Sequence, residues 1–75
     1  MKAKELTKTI VQLLETIDEP LETKEILAKL TNKIHGITRT KTLYRLMVLR
    51  GDGAINGKSV GSGKGVWIWW TKKQN

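Results

Sequence analysis

The apolar residues of this chain change their spacing once, and that change restricts the fold more than any other feature. Up to Arg50 they recur at intervals of three and four; beyond the turn "RGDGA" the period becomes two. Helix faces repeat every 3.6 residues and strand faces every two, so the helices come first and the strands last. Leu6, Ile10, Leu13, Leu14 and Ile17 predict a helix over about 4–17, stopped by Asp18, Glu19 and Pro20. Thr23 offers an N-cap for a second helix over about 23–33, with Ile26, Leu27 and Leu30 as its buried stripe and Gly36 free to take positive φ. Thr38 or Thr40 caps a third over about 39–50, whose core face is read as Leu43, Leu46 and Leu49. Strands are predicted at about 54–60 and 66–71, joined through glycines at 61, 63 and 65. The expected class is α/β in the broad sense (α+β): three helices followed by a two-stranded β-hairpin, one domain over residues 1–75.

Size supports one domain, since 75 residues close a single modest core. No apolar run approaches the ~20 residues that span a bilayer, and the N-terminus lacks a secretory signal pattern. With no cysteine present, disulfides and thiolate metal sites are excluded and a cytoplasmic location is the expectation. His35, the single histidine, is read as a turn residue rather than a ligand, so no metal is expected.

Charge is divided unevenly along the chain. Residues 1–31 hold five lysines against six acids, whereas residues 32–75 hold nine Lys or Arg against Asp52 alone. A basic half in so small a domain points to a polyanionic partner.

The stretch "GKSVGSGKGVWIWW" (57–70) resembles a phosphate-binding loop only superficially. The loop pattern needs a glycine five residues before its Gly-Lys-Ser, and that position is Asp52; Gly63-Lys64 is followed by glycine, not a hydroxyl. Residues 66–70, "VWIWW", are β-branched and aromatic, so no helix N-terminus faces a phosphate. A hairpin tip projecting Lys58, Ser62 and Lys64 toward a phosphate backbone accounts for the same residues. Asp18 and Glu19 form a carboxylate pair with no further support for acid–base chemistry, so neither an enzyme nor a cofactor or small-molecule ligand is expected. The basic ending "TKKQN" lacks the long amphipathic face of a membrane-surface segment.

The third helix carries the sharper signal. With Leu43, Leu46 and Leu49 inward, Lys41, Tyr44, Arg45 and Val48 turn outward, and Thr38, Arg39 and Thr40 sit at the N-terminal end. Long cations, hydroxyls and an aromatic ring together can read base edges as well as phosphates.

The helix, "PLETKEILAKL", the turn, "TRTKTLYRLMVLRGDGAI" and the glycine-tipped hairpin resemble the winged helix-turn-helix family of DNA-binding proteins, over roughly residues 5–71. Leu46, Leu49, Gly53 and Ile55 are similar to that family's passage from recognition helix into the first wing strand, and "WIWWT" resembles its second. In size and lack of cysteine the chain resembles the short regulators of archaeal plasmids and viruses. The resemblance implies sequence-specific binding of double-stranded DNA and transcriptional regulation. Residues 38–50 would enter the major groove, and a wing bearing Lys58, Ser62 and Lys64 would touch backbone or an adjacent groove. A homodimer on a palindromic site is the expected assembly. The competing expectation is a winged-helix protein-interaction module without specific DNA binding. By alternation Val66, Ile68 and Trp70 share one strand face and Trp67 and Trp69 the other, and the pattern leaves open which faces the core.

Overall fold

A computed structural model describes residues 3–61 and 65–71 of the chain. The order is α1 (Ala3–Thr16), β1 (Leu21–Glu22), α2 (Thr23–Leu30), α3 (Arg39–Gly51), β2 (Asn56–Val60) and β3 (Val66–Trp70). The chain is α+β: helices lie on one side of a three-stranded antiparallel sheet of order β1-β3-β2. The two-stranded expectation is therefore corrected. Leu21 and Glu22 pair with Trp69 and Ile68 along the free edge of β3. A strand of two residues is too short to display a period, which is why the pattern concealed it.

The three helices form where the spacing places them, with two local corrections. Glu22, not Thr23, is the N-cap of α2, with extended φ and ψ of −76° and 160°. The Glu25 carboxylate accepts the Glu22 backbone N–H at 2.7 Å, closing the near side of a capping box. Thr23 thereby becomes the first helical residue, and its buried hydroxyl accepts the indole N–H of Trp69 at 2.9 Å. The helix also ends at Leu30, short of residue 33; the Thr31 N–H still reaches the Leu27 carbonyl, and residues 31–36 turn away. At the end of α3, Gly53 takes φ of 80°. Its N–H reaches the Arg50 carbonyl at 3.0 Å while the Ala54 N–H reaches that of Leu49 at 2.9 Å, the two bonds of a Schellman ending. This is how "RGDGA" redirects the chain from helix into strand.

The core joins Leu6, Ile10 and Leu14 of α1, Ile26 and Leu30 of α2, Leu46 and Leu49 of α3, and Leu21, Ile37 and Ile55 to Trp69. Trp69 is fully buried, and Trp67 packs against the same cluster. The open choice between strand faces is thus decided: Trp67 and Trp69 look inward, and Val66, Ile68 and Trp70 look out. Gly57 pairs with Trp69 across the hairpin, and a Cβ there would overlap the indole carbons Cε3 and Cζ3. Glycine at this position is a packing requirement, whatever its freedom in turns. Among the described residues no helix is long and apolar enough to cross a membrane.

Candidate nucleic-acid interface

Helix α3 begins at Thr38, whose extended backbone (φ −125°, ψ 166°) brings Oγ1 to accept the Lys41 N–H at 3.2 Å. The Thr38 carbonyl accepts both the Thr42 N–H (3.0 Å) and the Thr42 hydroxyl (2.8 Å). That second bond lets a threonine be fully buried without an unpaired hydroxyl. The inward face is consequently Thr42, Leu46 and Leu49, with Leu43 half-buried at its margin. At about 100° per residue, this turns the helix by roughly 30° from an inward face of Leu43, Leu46 and Leu49.

The turn redistributes the candidate residues. Tyr44, 63% exposed, stands at the middle of the solvent face, with Thr40 a turn before it. Arg39 and Lys41 are exposed on the first turn, whose free N–H groups add positive potential. Val48 is half-buried, and so is Met47, which packs against the core cluster although its spacing gave no sign of it. Arg45 moves to a flank and is half-buried. Its guanidinium carbon lies 5.6 Å from the Tyr44 ring centroid, while Nε is buried with no hydrogen-bond partner among the described residues. Thr38 is exposed, but its oxygens already serve the cap.

Arg50, at the far end of α3, has a role that spacing alone did not reveal. Its Nε–H donates to the Gly57 carbonyl at 2.9 Å, and its guanidinium lies 5.2 Å from the Trp67 ring centroid. Trp67 in turn stacks on Trp69 with centroids 5.3 Å apart and planes 19° apart. This series fixes the hairpin relative to α3. No local pattern could have announced it, because the partners lie seven and more residues away and meet only in the fold.

Of the hairpin residues, Lys58 is exposed at the middle of β2, opposite Ile68 and set back from the tip. Ser62 and Lys64 lie outside the described residues, as does the basic ending after Thr71. Among the described residues, the one ion pair joins Lys24 to Glu22 at 3.9 Å, in the acidic half. None of Lys33, Arg39, Lys41, Arg45, Arg50 and Lys58 has a carboxylate within salt-bridge distance there, so their charge is uncompensated locally. No group of three or more His, Cys, Asp or Glu side chains converges among these residues as a metal site would require. Comparison with protein-family models, with curated proteins and with solved structures gives no significant match to this chain.

Proposed function

We propose that the chain is a winged helix-turn-helix protein that binds double-stranded DNA in a sequence-specific manner and regulates transcription. In this reading α3 enters the major groove and the β2–β3 hairpin is the wing. The observation that carries the proposal is the solvent face of α3. Lys41, with no carboxylate within salt-bridge distance among the described residues, shares one side of a helix anchored by a buried opposite face with Thr40, Tyr44 and the flanking Arg45, and Arg39, equally uncompensated, is exposed at its N-terminal end. Cations of this kind displace counterions from phosphates, and Arg pairs bidentately with guanine. Thr38 holds the helix start; Arg39, Thr40, Lys41, Tyr44 and Arg45 are the contact residues, and Ser62 and Lys64, outside the described residues, are expected from the sequence to meet the backbone.

Titration of a labelled random-sequence duplex pool at several salt concentrations tests this. The logarithm of the affinity should fall against the logarithm of salt with a slope near −0.9 for each phosphate neutralised. Selection from the pool should yield a preferred site, on which Arg45→Ala costs about 1–3 kcal/mol and relaxes sequence choice. Lys64→Ala should weaken all duplexes alike. Salt-independent binding, or none to any duplex, would leave the protein-interaction module as the better reading.

A further inference from the structure

The outer face of the sheet carries four apolar side chains that no other element covers completely among the described residues. Val60 and Val66 pair at the hairpin end, Asn56 and Trp70 pair at the opposite end, and Ile68 lies between Glu22 and Lys58 in the middle row. Val66 is 46% exposed, and Val60, Ile68 and Trp70 are half-buried. None of these four belongs to the core or to the apolar residues packed against it. A three-stranded sheet commonly has one solvated face, but that face is ordinarily polar.

We propose that this face is where a second copy of the chain packs, sheet against sheet, about a two-fold axis parallel to β3. The charges select the partner and the axis together. Rotation about an axis along the central strand lays β1 of one copy over β2 of the other. The Glu22 carboxylate, which caps α2 and lies 3.9 Å from Lys24 of its own chain but stays partly exposed, then faces the second copy's Lys58 ammonium on both sides of the dyad, with Val66, Ile68 and Trp70 meeting their own equivalents on it. Rotation about an axis across the strands would instead set Glu22 against Glu22 and Lys58 against Lys58. The middle row, acid–isoleucine–base, is therefore complementary to itself in one orientation only.

A second consideration agrees, and it rests on the DNA-binding reading above. The strand-parallel axis points the Val60–Val66 ends of both hairpins the same way, so both could approach one duplex and match the symmetry of a palindromic site. The crossed arrangement points them in opposite directions. Lys58, at mid-strand rather than at the tip, is thus assigned to subunit contact.

Sedimentation equilibrium of the full chain without DNA, from about 1 µM to about 1 mM, tests the interface at the affinities a patch of this size supports. Wild type should dimerise. Lys58→Glu should weaken the dimer about tenfold or more, since each of two attractive contacts becomes repulsive. Val66→Asp, at the most exposed position of the patch, should be monomeric with an unchanged circular dichroism spectrum. The exchange Glu22→Lys with Lys58→Glu should recover dimer strength to within about threefold of wild type. A wild type that stays monomeric throughout, or a dimer indifferent to both Lys58→Glu and Val66→Asp, overturns the proposal. The DNA reading is measured separately: a monomeric wild type that binds duplex defeats only the interface, and a Lys58-sensitive dimer that binds no duplex defeats only the DNA reading.

Discussion

The six-membered ring of Trp69 occupies the space where a side chain at position 57 would begin, and its indole N–H ends on Thr23. Two substitutions probe these contacts separately. In Gly57→Ala the new methyl overlaps ring carbons of a fully buried residue, so the sheet or the indole must shift. The expected loss is about 1–3 kcal/mol, read by chemical denaturation, and about 4–8 °C in Tm for each kcal/mol in a domain of this size. Thr23→Val keeps the shape but removes the acceptor, leaving a buried N–H unpaired at a cost of about 1–3 kcal/mol. Its tryptophan emission should also change, because the hydrogen bond to the indole is lost. A Thr23→Val protein as stable as the wild type, with unaltered emission, would mean that the bond contributes nothing to the fold. Neither constraint was legible in the sequence. Thr23 looked like a cap and Gly57 like an ordinary position in the first hairpin strand, and only the docking of β3 gives them their roles.

At the scale of elements, long periodic segments were readable and short or tertiary ones were not. Five apolar residues on one stripe define α1, and the glycine-punctuated switch of period defines the hairpin. Two residues at Leu21–Glu22 cannot show a period, so β1 was hidden. The solvent face of α3 was legible in Lys41 and Tyr44, which stay outward under either rotation of the helix. Arg45 was less so: its half-burial follows from Thr42 taking a core position, which the hydroxyl's bond to the Thr38 carbonyl permits. Arg50 joins α3 to the hairpin through one hydrogen bond and one ring contact. Arg50→Ala removes both and should lower stability by about 1–2 kcal/mol in thermal melts. Arg50→Lys should not restore it, since lysine lacks the Nε–H that reaches Gly57 and the planar group that lies over Trp67. Rescue by lysine would show that only charge matters at this position.

For the molecule as a whole, the question is whether total charge or its placement drives association. The chain carries +7, yet its first 31 residues are net acidic, so the surplus belongs to the part that includes α3 and the hairpin. The molecule spans 32 × 31 × 21 Å, several times the Debye length of about 8 Å at physiological salt. A cation contributes to phosphate binding under those conditions only if it lies close to the duplex. Lys8, on the solvent side of α1, and Lys41, on α3, are both exposed. Replacing either with alanine changes the net charge equally. If placement governs, Lys41→Ala should weaken duplex binding about 3–10-fold at physiological salt and reduce the salt slope by about 0.9, the share of one phosphate. Lys8→Ala should then stay within about twofold of wild type with the slope intact. Anisotropy titrations at a few salt concentrations separate the cases, and equal losses in the two variants would show that the chain binds through its overall charge and that α3 holds no privileged position on the duplex.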